Sequence, residues 1–149
     1  MTVWFEDFTV GAVARYGCYA VTREAVLAFA TAYDPQPFHL SDEAAAANPI
    51  FGRLAASGWH TAAMTMRMTV ERWAAMGGAS LGSPGIDELR FLKPVYPGDT
   101  LTVEAEVLAA RPLASRPDRG VVKTSTRTLN QHGEAVLSFT GNTFWPRRP

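Results

Sequence analysis

Apolar side chains recur at steps of three and four in the first half of the chain, and at steps of two in the second. The first rhythm belongs to helices and the second to strands with one buried face. Thr22 is a good N-cap, Glu24 suits the first turn, and Val26, Leu27, Phe29 and Ala30 follow at helical spacing, which predicts a helix over 23–33. Ser41 caps a short helix from Asp42 to Ala47, ended by Asn48-Pro49. The longest helical pattern begins at Ser57 or Gly58 and stops at Gly77-Gly78. Trp59, Ala63, Met66, Val70 and Trp73 share one of its faces. Met64, Met68 and Ala75 make much of the remainder apolar, so this helix is expected to be buried on most sides, with Arg67, Glu71 and Arg72 at its wetter edge.

Strand patterns flank these helices. A leading segment, 4–11, carries aromatics and ends at Gly11, and residues 12–20 read as the first strand. Beyond a Gly/Ser/Pro loop, strands are predicted over 86–93, 100–110, 121–129 and 134–145. Pro97-Gly98-Asp99 and Asn130 to Gly133 supply turns, and Arg111 to Gly120 reads as a longer loop. One strand, a helical middle and four antiparallel strands imply an α+β fold. A curved sheet with one apolar face wraps a long helix that must be covered. All 149 residues form one domain in this reading.

Composition narrows the function classes. Lys plus Arg equals Asp plus Glu, so the formal net charge is zero. A general nucleic-acid binder would show a basic surplus. A single cysteine, Cys18, excludes an internal disulfide and suits a reducing cytoplasm; within its strand it reads as a buried structural thiol. The N-terminus lacks the basic and apolar regions of a signal peptide, and no apolar run approaches the roughly 20 residues that span a bilayer. The expectation is a cytoplasmic protein without membrane partners.

The candidate chemistry lies where the first helix stops, in Ala32-Tyr-Asp-Pro-Gln-Pro-Phe-His-Leu40. Pro35 and Pro37 fix their own φ and push Asp34 and Gln36 away from helical conformations. A stiff loop therefore holds Asp34 and His39 five residues apart, with Phe38 and Leu40 flanking the imidazole. Two readings stand: an acid/base pair, or a turn-capping aspartate beside a satisfied histidine. Gly58 opens the long helix, where free N–H groups and the helix dipole make an oxyanion site; close packing of helix on sheet is the plainer reading. His60 reads as a structural residue near the helix start, with a second acid or base as the alternative. His132 falls in a hairpin turn and faces solvent. His39 and His60 are not at a metal-ligand spacing, so no metal is expected.

Tyr33-Asp-Pro-Gln-Pro-Phe-His39, followed by Phe51-Gly-Arg-Leu-Ala-Ala-Ser-Gly-Trp59, resembles the MaoC-like dehydratases, which include the (R)-specific enoyl-CoA hydratases. Leu89-Arg-Phe-Leu-Lys-Pro-Val-Tyr-Pro-Gly-Asp99 extends the resemblance over nearly the whole chain. The resemblance implies a hotdog fold, usually a homodimer with sites near the interface. Asp34 and His39 would be the catalytic pair and the Gly58 amide would bind the thioester oxygen, with Ser57, Trp59 and Phe38 around the substrate. The substrate would be an acyl-CoA or acyl-carrier thioester, with no cofactor beyond it. Arg53, Arg90 and Lys93 are candidates for the carrier phosphates. Three departures stand out: Gln36 replaces the usual Asn, Ser57 and Trp59 flank the glycine where many hydratases have His and Met, and Met66 falls where some members place a serine that supports the aspartate. The implied reaction is reversible hydration of a trans-2-enoyl thioester. A hotdog thioesterase and a non-catalytic acyl-thioester-binding subunit are the alternatives.

Overall fold

The computed structural model describes residues 2–149. Strand β1 spans Val13–Ala20, and the helices α1, α2 and α3 span Arg23–Tyr33, Asp42–Ala46 and Gly58–Ala75. Strands β2 (Gly85–Phe91), β3 (Thr100–Leu113), β4 (Arg116–Leu129) and β5 (Ala135–Pro146) follow. The sheet order is β1-β3-β4-β5-β2, antiparallel throughout, which leaves β1 and β2 at the edges. Helix α3 lies across this sheet and touches β1, β3 and β5. It is the α+β hotdog arrangement, a sheet folded around one helix.

Local chemistry accounts for the helix starts. Thr22 and Ser41 sit in extended backbone and Ser57 has φ −55° and ψ 140°, all outside the helical region, and each hydroxyl accepts a hydrogen bond from an N–H of the first turn it caps. The main core gathers Val26 from α1, Met64 and Met68 from α3, Leu101 and Val103 from β3, and Val136 and Leu137 from β5. A second cluster holds the far end of α3: Val3, Phe5, Val122 and Trp145 are buried together, with Phe8 and Trp73 packed on them. β1 comes so close to α3 that a Cβ on Gly17 would stand 2.4 Å from the Met68 sulfur, and φ at Gly17 is +84°. Glycine meets both demands at once.

Three expectations need correction. The first concerns which face of α3 is buried. His60, Thr61, Met64, Thr65 and Met68 point inward, whereas Trp59, Met66 and Val70 are 60%, 48% and 45% exposed. The helix is apolar on two sides, and the inward side is the one carrying threonines. They go inward because their hydroxyls bond the helix's own carbonyls: Thr65 to Thr61 at 2.8 Å and Thr69 to Thr65 at 2.9 Å. Thr65 also meets Thr128 of β4 at 2.5 Å. The second correction is Cys18, which is exposed rather than buried. The β1–β3 register shifts between Tyr16 and Tyr19, and this irregularity next to Gly17 turns the thiol outward. The third is the predicted loop from Arg111 to Gly120. It is mostly strand, because β3 and β4 continue pairing through Pro112↔Gly120 to Leu113↔Arg116. A register shift at Pro112 lets the ladder pass the proline.

Candidate active site

Helix α1 ends where Asp34 caps it, its N–H donating to the Ala30 carbonyl at 2.9 Å. The next residues form a tight turn: Gln36 N–H reaches Asp34 O at 2.8 Å, and Pro37–His39 makes one turn of 3₁₀ helix with proline at its start. α2 then packs back on this turn, and Arg23 at the start of α1 pairs with Asp42 at 2.7 Å. The Asp42 carboxylate also accepts the Leu54 N–H at 3.3 Å, tying the connector that leads into α3. The loop with the candidate pair and the start of α3 are thus held by the same few contacts.

The structure brings Asp34, His39 and Gly58 to one cleft of ≈ 370 Å³, lined also by Gln36, Phe38, Phe51 and Trp59. Asp34 Oδ2 lies 3.4 Å from His39 Nε2. The separation is too small for a water between them in line, but one water can sit to the side and bond both. His39 is buried, and its Nδ1 stands 2.7 Å from the Ala55 carbonyl. A carbonyl only accepts, so Nδ1 carries the hydrogen and Nε2 turns toward Asp34. Phe38 packs against the imidazole edge-on at 4.5 Å and stacks on Phe51 at 4.9 Å, fixing the ring plane.

Both oxygens of the Asp34 carboxylate have donors. Gln36 Nε2 gives a hydrogen bond to Oδ1 at 2.8 Å, and the Ser57 hydroxyl gives one to Oδ2 at 2.7 Å. Gln36, the unusual residue within the loop motif, therefore reaches back to brace the aspartate. Ser57 is fully buried and its oxygen also accepts the Trp59 N–H at 3.3 Å. The Ser57 hydroxyl, expected beside the substrate, here bridges the helix start and Asp34. Met66, placed by resemblance at a supporting position, lies in a different cavity, and the support comes from Ser57 and Gln36. Sequence reading missed this role, although a serine directly before the helix glycine is the residue that could have signalled it.

Partial burial pushes the Asp34 carboxyl up, but the hydrogen bonds from Ser57 and Gln36 and the nearby His39 outweigh it and hold the group below its ordinary value of 3.8. Asp34 is therefore a carboxylate at neutral pH. Removing the Ser57 donor leaves the burial effect less opposed. In Ser57→Ala the Asp34 carboxyl should titrate at higher pH than in the wild type, and the lost N-cap should cost about 0.5–2 kcal/mol of stability. A carboxyl NMR titration beside a melting curve checks both.

Gly58 is the first residue of α3, so its N–H has no partner within the helix. A Cβ on Gly58 would stand 2.7 Å from the Phe91 ring, which Trp59 meets edge-on at 5.6 Å. Lys93 lines the cleft and is paired with Glu134, Arg90 pairs with Glu88, and Arg53 lies over the Tyr96 ring at 3.9 Å. His60 stands apart from the pair. It is buried, stacked on Phe29 at 4.7 Å, and its Nδ1 has no partner; burial lowers its pKa. His132 is exposed, as its turn position suggested.

The MaoC like domain model matches residues 6–129, and the chain belongs to that family. Among solved structures it resembles the MaoC-like dehydratase from Rhodospirillum rubrum, with 44% identity, 99% of each chain covered and a TM-score of 0.87. It also resembles the R-hydratase PhaJ1 from Pseudomonas aeruginosa, with 28% identity over 97% of this chain and 86% of that one, at a TM-score of 0.71. The uncharacterised protein YdeM of Bacillus subtilis strain 168 is 31% identical over 126 residues, covering 85% of this chain and 86% of that protein. No helix among the described residues is long and apolar enough to cross a membrane.

Proposed function

We propose that this chain is a hydro-lyase that adds water across the double bond of a trans-2-enoyl thioester, and catalyses the reverse dehydration of an (R)-3-hydroxyacyl thioester. The observation that carries the reading is the pairing of two hydrogen-bond acceptors at 3.4 Å. Asp34 is a carboxylate braced by two donors, and in the neutral imidazole His39 Nε2 is the acceptor, because Nδ1 holds the hydrogen that bonds the Ala55 carbonyl. Two such acceptors hold one water by its two hydrogens and leave its oxygen lone pairs free to attack. As the water oxygen bonds Cβ, the pair takes a proton, and a proton from the pair reaches Cα. The electron pair released from the double bond passes to the thioester oxygen. There the free N–H of Gly58 and the α3 dipole stabilise the developing charge. Ser57 and Gln36 are positioning residues in this scheme.

The substrate class supported is an acyl thioester of CoA or an acyl carrier. Following wild-type protein with a series of trans-2-enoyl-CoAs tests the reading: enoyl absorbance should fall with no thiol released. Thiol release from the enoyl-CoAs, or from a matched series of saturated acyl-CoAs, would identify a thioesterase instead.

The assembly supported is a homodimer. Edge strand β2 presents an unpaired row of N–H and C=O groups, and it adjoins the apolar α3 stripe through the Trp59–Phe91 contact. A second copy of this chain covers both at once. Val70→Glu should shift the protein to monomer in light scattering, because it places a charge within the covered stripe; a wild-type monomer contradicts the assignment.

A further inference from the structure

A second and larger cavity, ≈ 530 Å³, lies between the sheet and the later turns of α3 and shares no lining residue with the catalytic cleft. Its volume is that of a small-molecule site. Met66, Trp73, Ile86, Val107, Phe139 and Trp145 give it apolar walls. Its notable polar group is a cluster on one wall. The Tyr16 hydroxyl lies 3.1 Å from the Thr69 hydroxyl, and the Arg72 guanidinium stands 5.8 Å from the centre of the Tyr16 ring. Among the described residues no carboxylate pairs with Arg72, although many arginines of this chain are paired. Asp7 also lines the cavity, but Arg148 and the Trp4 N–H occupy its carboxylate.

We propose that this cavity binds a hydrocarbon segment ending in a carboxylate, with Arg72 and Tyr16 receiving the carboxylate and the apolar walls receiving the chain. Thr69 gives its own hydrogen to the Thr65 carbonyl, so the Tyr16 hydroxyl is the donor of the Tyr16–Thr69 bond. That phenolic hydrogen turns to an arriving carboxylate, where it makes a stronger, charge-assisted bond. Burial raises the Tyr16 pKa, which keeps the group a donor. The guanidinium supplies the matching charge.

Two sources offer this chemistry. One is a free carboxylic acid. The other is the distal carboxyl of an acyl thioester extending from the catalytic cleft, and this source rests on the hydratase reading. The geometry suits it: Thr61 lines the cleft and Ala62 the cavity, while on β2 Phe91 lines the cleft and Leu89 the cavity.

The test has two arms. Calorimetry compares decanoate with 1-decanol on wild type, Asp34→Asn, Arg72→Gln and Tyr16→Phe. Kinetics compares kcat/KM for an ω-carboxy enoyl-CoA with its methyl-ended counterpart on wild type and Arg72→Gln. At least one arm should show a preference for the carboxylate that falls about tenfold in Arg72→Gln, the effect of losing one charge-assisted bond. Arg72→Lys should restore part of it. Melting curves show whether each variant is folded. Decanoate binding that survives Asp34→Asn and falls in Arg72→Gln identifies the free acid as ligand. A preference confined to the kinetic arm identifies the thioester. If the protein turns over no enoyl-CoA, the hydratase reading fails, and calorimetry alone decides the cavity. Equal behaviour of charged and uncharged ligands in every working arm, or indifference to both Arg72→Gln and Tyr16→Phe, overturns the proposal.

Discussion

Asp34→Asn should lower the hydration rate of an accepted enoyl-CoA by about 10²–10⁴-fold, and His39→Gln should do the same, with melting curves recorded to show that both variants are folded. Each loss follows from the geometry. An asparagine at position 34 presents one acceptor and one donor where the carboxylate presents two acceptors, so the donors from Ser57 and Gln36 no longer both find an oxygen. Turned one way, the amide points its NH₂ toward the water that Asp34 is meant to deprotonate. A glutamine at position 39 has one amide in place of two ring nitrogens, so it cannot both donate to Ala55 and present a basic nitrogen 3.4 Å from Asp34. Because these changes touch binding of the acyl group little, the loss should appear mainly in kcat. Retention of wild-type turnover by both variants would remove the pair from the chemistry.

Trp145→Ala should destabilise the protein by about 3–5 kcal/mol, the usual cost of emptying so large a buried site. Trp145 is 1% exposed and is the centre of the second core cluster. Phe8 lies against it at 4.7 Å and Trp73 of α3 meets it edge-on at 5.2 Å. Rigid aromatic neighbours on two sides collapse poorly into a vacated space, so the cavity term stays large. Denaturant unfolding with an unchanged m-value would report the loss cleanly. A shift below about 1 kcal/mol would mean that the leading segment and the far end of α3 are held by something other than this cluster.

Much of the frame could be read from residues alone, because its determinants are local. Thr22, Ser41 and Ser57 announce helix starts by offering a hydroxyl to unpaired N–H groups, and all three do so in the structure. Apolar residues alternate with polar ones along 100–110, which puts Leu101 and Val103 on one face of the strand, and both are buried. The loop from Asp34 to His39 was legible because two prolines leave it few conformations. Other features depend on what meets what in space. A helix apolar on two sides does not declare which side the sheet covers, so periodicity alone does not show that Thr61 and Thr65 are buried while Trp59, Met66 and Val70 stay exposed. Cys18 lies in a strand pattern that suits a buried thiol, and the irregular pairing beside Gly17 turns it outward. The brace on Asp34 joins residues 23 apart in sequence, Ser57 and Asp34, and no local pattern links them. Gln36 was the oddity of the motif; its longer amide reaches the aspartate two residues back.

The central claim is that Asp34 and His39 act as one unit on one water. The double variant Asp34→Asn/His39→Gln tests it most directly, measured beside the two single variants with the same enoyl-CoA. If one water needs both acceptors, the second substitution has nothing further to remove, and the double variant should be about as slow as the slower single. Losses that multiply would show that the two residues act independently, and would contradict the shared-water account.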